Sequence, residues 1–178
     1  AIPGIESWDG ETYQRSLDLP GGMGVVALVA HDDHVAARIE LSSWGDLGVA
    51  VQRVRRLLDL DSDPSAVDAA LEADPAMAQL VAAVPGRRAP ASVDPYETAI
   101  RAVMGQQVSV AGARTVAGRI VAAVGRTFGE PVGDITRVFP RPDELAGAPD
   151  AAFSMPGARR DTIRRLAAAV ADGDLELD

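Results

Sequence analysis

The apolar residues change their spacing near residue 45, and that change restricts the chain to a mixed architecture. Before it the pattern is strand-like. Glu11 to Leu19 alternates loosely, Val25 to Ala30 is a continuous apolar run behind Gly21-Gly22, and Val35 to Leu41 is a second run. His31-Asp32-Asp33-His34 separates the two runs as a turn, so a β-hairpin is predicted over 22–41. After residue 45 the period is helical. Leu47, Val51, Val54 and Leu58 predict an amphipathic helix over 46–60. Asp63-Pro64 supplies an N-cap and a first-turn proline for a helix through Glu72, and another short helix is predicted over 77–84.

Pro85-Gly86-Arg87-Arg88-Ala89-Pro90 reads as a linker, dividing the chain into residues 1–86 and 87–178. No strand is predicted beyond it. Asp94-Pro95-Tyr96-Glu97 carries an N-cap, a first-turn proline and an acid at the third helical position, the pattern of a capping box. That helix should end near Gly105. Val110, Ala113, Ala117, Ile120 and Val124 mark the next, Pro142 opens a short one through Ala146, and Ile163, Leu166 and Val170 mark the last. Asp161 and Arg165 stand four apart on it, placed for an ion pair. The expected fold class is α+β: an amino-terminal antiparallel sheet with helices, then an all-α part.

Composition excludes several chemistries. There is no cysteine, so disulfides, thiolate nucleophiles and cysteine metal sites are ruled out. There is no lysine, so no residue here can form a lysine Schiff base. His31 and His34, with Asp32 and Asp33 between them, are ligand types for a metal. They sit at a hairpin tip, where polar residues are ordinary, and no metal is expected. No apolar run is long enough to cross a bilayer and no signal-peptide plan is present, so a soluble cytoplasmic protein is expected. Trp8 and Trp44 are expected to be packing residues and not base-stacking ones.

A net charge of −9 argues against nucleic acid, but its distribution matters. Residues 1–86 hold 14 acids and five arginines; residues 87–137 hold seven arginines and four acids; residues 138–178 hold eight acids and five arginines. A DNA-facing surface is therefore expected in the middle segment.

That segment carries a resemblance. Asp94-Pro95-Tyr96-Glu97 leads through Ile100-Arg101-Ala102 into Gly105-Gln106-Gln107-Val108-Ser109. The run resembles the AlkA branch of the helix-hairpin-helix DNA glycosylases, with its acidic-aromatic cap, Arg-Ala helix and Gly-Gln-x-Val-Ser loop. Phe139-Pro140-x-Pro142, Met155-Pro156 with Arg159, Tyr13-x-Arg15-Ser16-Leu17 and Leu58-Asp59-Leu60 with Asp63-Pro64 extend the similarity over nearly the whole chain.

The resemblance implies a base-excision enzyme for alkylated purines of the 3-methyladenine class, acting on double-stranded DNA. The target must be rotated out of the stack, and something must fill the hole. Gln107 matches the family's wedge position and Gln106 would support the loop or approach the DNA backbone. Ser109 can cap the next helix, whose N-terminal amides could meet a phosphate. Arg101, Arg114 and Arg119 are candidate phosphate contacts. The hydrolysis needs no cofactor. The family's Gly-hydrophobic-Gly hairpin and its catalytic aspartate have no match in this sequence and are expected beyond Asp178, so no catalytic residue is assigned and residues 87–178 are read as an incomplete glycosylase domain. Ala1 is not Met, both ends are expected to be cut from a longer protein, and some relatives fuse a regulator of the alkylation response ahead of this enzyme. Ile2-Pro3-Gly4-Ile5-Glu6 mimics the start of the hairpin but places a charged glutamate where glycine is needed, and reads as an entry turn. Two alternatives stand beside the main reading: a related glycosylase for oxidised bases, and a non-catalytic DNA-binding or regulatory module.

Overall fold

A computed structural model describes residues 1–177. The first elements are four antiparallel strands in sequential order: β1 (Glu6–Trp8), β2 (Thr12–Leu19), β3 (Gly22–Ala30) and β4 (Val35–Leu41). The hairpin predicted over 22–41 is β3–β4, registered from Gly24 opposite Leu41 to Ala30 opposite Val35. His31 N–H donates to the His34 carbonyl at 2.8 Å and closes its turn. A 3-10 turn (Trp44–Asp46) leads into α1 (Leu47–Leu57). Its Asp46 carboxylate accepts the Gly21 N–H at 3.0 Å and ties this turn to the β2–β3 corner.

The helices beyond are α2 (Pro64–Glu72), α3 (Pro75–Ala83), α4 (Pro95–Gly105), α5 (Val110–Val124), α6 (Pro142–Ala146) and α7 (Gly157–Ala171); α3 starts two residues ahead of the predicted 77, at the Asp74-Pro75 cap. Proline stands at the start of α2, α3, α4 and α6 because its missing N–H is an orphan there anyway. One expectation fails. A strand pair, β5 (Thr127–Val132) and β6 (Ile135–Arg137), lies between α5 and α6, where none was predicted. The Asp161–Arg165 pair is also not formed as expected. The Asp161 carboxylate accepts from Arg160 at 2.9 Å, and Arg165 Nε reaches the Asp161 backbone carbonyl at 3.3 Å.

Compactness divides the chain differently from the sequence boundary at 86/87. One unit comprises Ala1–Ala50 together with the chain from Asp94 onward; the other is Val51–Val93. The first unit has a continuous apolar core in which Ile2 and Ile5 pack with Tyr96, Ile100, Met104, Ile120, Leu145 and Ile163. The entry turn is stitched to β6: the Gly4 carbonyl accepts from Thr136 N–H at 2.9 Å and Arg137 N–H at 3.0 Å. Gly4 has φ +86, a conformation that favours glycine, and a Cβ there would press to 3.1 Å from Thr136 Oγ1. In the second unit the expected linker is pinned. Gly86 N–H donates to Asp68 at 2.6 Å, Ala89 N–H to Asp59 at 2.9 Å, and Arg88 to the Ser62 carbonyl at 3.2 Å.

Trp8 and Trp44 were expected to be packing residues, yet they are 59% and 81% exposed. Trp8 ends a three-residue edge strand, and Trp44 sits on a one-turn 3-10 segment, so neither has a neighbouring element to cover it.

Asp18, on β2, is gripped by Arg141 at 2.6 Å and by Arg126. Burial pushes its carboxyl up, but hydrogen bonds and charge from Arg141 and Arg126 outweigh this and hold it below the ordinary aspartate value. A carboxylate depressed in the folded state stabilises it above the unfolded pKa and loses that contribution as pH falls through the folded value. Asp18→Asn should therefore lower stability at neutral pH and flatten its decline below about pH 4. Urea denaturation over a pH series tests this; an unchanged acid limb would show that the bridge contributes nothing.

Candidate nucleic-acid interface

The loop between α4 and α5 is set by what anchors each helix. Asp94 Oδ1 accepts the Glu97 N–H at 3.1 Å, as an N-cap should. Tyr96, Ile100 and Met104 follow at four-residue spacing and bury one face of α4. On α5, Ala117, Ile120 and Val121 are buried in the same core. The connecting residues are thus a short turn between two fixed supports.

Gln106 is extended (φ −62, ψ 124) and donates its N–H to the Val103 carbonyl at 3.3 Å. Gln107 then turns left-handed, at φ 56. A non-glycine residue there costs on the order of 1 kcal/mol, and glutamine lacks the short side chain with which Asn or Asp offsets it. Both glutamines are exposed, as are Val108 and Ser109. Ser109 Oγ accepts the Gly112 N–H at 3.1 Å and caps α5, which fixes where the helix begins. Beside the loop lies a half-open cavity of about 240 Å³, with Met104 and Ala117 on its wall and Arg114 exposed at its rim.

Arg101 also lines that cavity, and its guanidinium is engaged by two carboxylates. Its Nη1 lies 2.8 Å from Glu6 Oε1 and 2.9 Å from Glu97 Oε1. Arg15 completes a quartet, 2.7 Å from Glu97 Oε2 and 3.5 Å from Glu6 Oε1. Glu6 and Arg15 are direct cross-strand partners on β1 and β2. Burial pushes the Glu6 carboxyl up; the charges of Arg101 and Arg15, with hydrogen bonds from Arg101 and the Ile2 N–H, prevail and leave it below the usual glutamate value. Sequence reasoning gave Glu97 to a capping box and Arg101 to a phosphate, and gave the quartet no notice. The signal was there only as charges among apolar neighbours, Arg15 before Ser16-Leu17 and Glu6 after Ile5.

Other candidates separate from the loop. His31 and His34 stack with ring centroids 4.5 Å apart at the β3–β4 tip. Among the described residues no cluster of three or more His, Cys, Asp or Glu could hold a metal ion. No helix among them is long and apolar enough to cross a membrane.

The same arrangement of sheet and helices is found in solved structures of DNA glycosylases. The 3-methyladenine DNA-glycosylase from Archaeoglobus fulgidus superposes with a TM-score of 0.80 at 17% identity, over 93% of this chain and 58% of that one. An 8-oxoguanine glycosylase/lyase from Clostridium acetobutylicum, solved with double-stranded DNA, gives 0.67 at 16% identity, over 99% of this chain and 68% of that one.

The chain belongs to the AlkA family, whose N-terminal domain matches residues 1–94. It is 45% identical over its whole length to a Mycobacterium tuberculosis protein described as a probable bifunctional transcriptional activator/DNA repair enzyme AlkA, and spans 36% of that protein. It is 35% identical to the DNA-3-methyladenine glycosylase 2 of Escherichia coli over 99% of this chain, spanning 62% of that enzyme.

Proposed function

We propose that this chain supplies the sheet, the wedge loop and part of the helical body of a DNA repair enzyme in the cytoplasm. That enzyme rotates an alkylated purine, of the 3-methyladenine class, out of duplex DNA and hydrolyses its N-glycosidic bond. The carrying observation is Gln107: exposed, left-handed, and held out between two helices that are each anchored in the core. A plug for an emptied base stack must project from a rigid support, since otherwise the energy of unstacking is spent on ordering the loop. A glutamine there can also hydrogen-bond the partner base left behind. Gln106 and Ser109 flank it, with the capped start of α5 facing a DNA phosphate. Arg101 supports this surface through its carboxylates. The acid that stabilises the developing sugar cation comes from a segment other than residues 1–178. The bifunctional description of the mycobacterial relative favours a regulator domain joined to this one in the same polypeptide.

The test is release of 3-methyladenine from methylated duplex DNA. Protein containing the whole reading frame should release it, and residues 1–178 alone should not. Release of 8-oxoguanine in its place would move the substrate to oxidised bases. Binding without any release would leave a DNA-binding module. Excision by residues 1–178 alone would put the active site inside this chain.

A further inference from the structure

The Arg15–Glu97–Arg101–Glu6 quartet couples two strands to the helix that ends in the two-glutamine loop, and we propose that Arg101 is a positioning residue for Gln107. This rests on the base-flipping role proposed for that loop. The geometry supports it in three ways. Arg101 lies one turn beyond Glu97 on α4, and the loop begins five residues further on. A single nitrogen, Nη1, contacts both carboxylates, so the guanidinium is already engaged although its side chain is 38% exposed and lines the cavity beside the loop. The anchoring acids are nearly sealed, with Glu6 and Glu97 side chains 7% and 5% exposed. Glu6 belongs to β1, and Arg15 holds both acids from β2. The sheet thus fixes the rotation and axial position of α4 through charge, and a shift of an ångström at the loop is enough to cost a wedge its fit. A phosphate approaching Arg101 would compete with two carboxylates already in place, whereas Arg114, exposed at the cavity rim, has no ion pair among the described residues.

The experiment uses the full-length protein with methylated duplex and single turnover. Arg101→Met should lower excision about tenfold or more. It should leave the dependence of DNA affinity on salt unchanged, while Arg114→Gln lowers that slope by about one. Arg101→Lys should recover most of the rate, because one ammonium can meet both carboxylates. Glu6→Gln, at a site DNA cannot reach, should reproduce the Arg101→Met pattern and serves as the second variant if that one folds poorly. In a Gln107→Ala background Arg101→Met should cost nothing further, since its action passes through the wedge; a merely structural role would give multiplying losses. A salt slope reduced by Arg101→Met, multiplying losses, or an unaffected rate would each overturn the proposal. Absence of excision by wild type would instead sink the repair reading. Hydrogen exchange at the Met104 and Gly105 amides then judges the positioning claim by itself: exchange should accelerate in Arg101→Met, and unchanged exchange overturns it.

Discussion

Gln107→Ala in the full-length protein should cut excision from duplex DNA by on the order of 30-fold, while excision from single strands changes by less than about threefold. The estimate follows from the cost of an unfilled gap. Unstacking a nucleotide takes a few kcal/mol, and forfeiting about 2 kcal/mol of that compensation is worth a factor of about 30. A single strand has no gap to fill, so the wedge contributes little there. Gln107→Gly separates the side chain's role from that of the backbone. Glycine accepts φ 56 without strain, so folding stability should hold while duplex excision falls as it does for alanine. Equal losses on both substrates would remove the wedge from the mechanism.

The second large effect is on stability. Arg15→Met should destabilise the fold by about 3–5 kcal/mol, because it strands Glu6 and Glu97 in the interior with only Arg101 to balance them. Arg15→Met combined with Glu97→Gln should recover part of this, since Glu6 and Arg101 remain as a neutral pair. Urea denaturation measures both. A cost below about 1 kcal/mol for the single change would mean that water reaches the quartet and screens its charges.

What could be read from the sequence follows from where each signal is stored. Helix starts are local chemistry: Asp63, Asp74, Asp94 and Ser109 each cap within three residues, and the α5 limits match the predicted spacing. The β3–β4 hairpin announces itself through two apolar runs and a polar turn. The β5–β6 pair does not, because Gly129 and Pro131 interrupt β5 and its outward residues are mostly exposed. Trp8 and Trp44 misled because bulk predicts burial only when an element lies overhead. The exposed turn between α4 and α5 was legible through Gly-Gln-Gln-Val-Ser, but the quartet was not. Its members are up to 95 residues apart, and one sequence cannot say which charges meet.

The Gly4–β6 stitch has a consequence for synthesis on the ribosome. Ile2 and Ile5 are translated ahead of all their core partners, and those on α5, α6 and α7 follow only from Val110 onward. The two isoleucines at the entry to the sheet therefore stay uncovered until those helices are made, a long-range closure that slows folding and invites chaperone attention. A gene cut after residue 93 would leave Ile2 and Ile5 without that core, and an insoluble product is the expected yield.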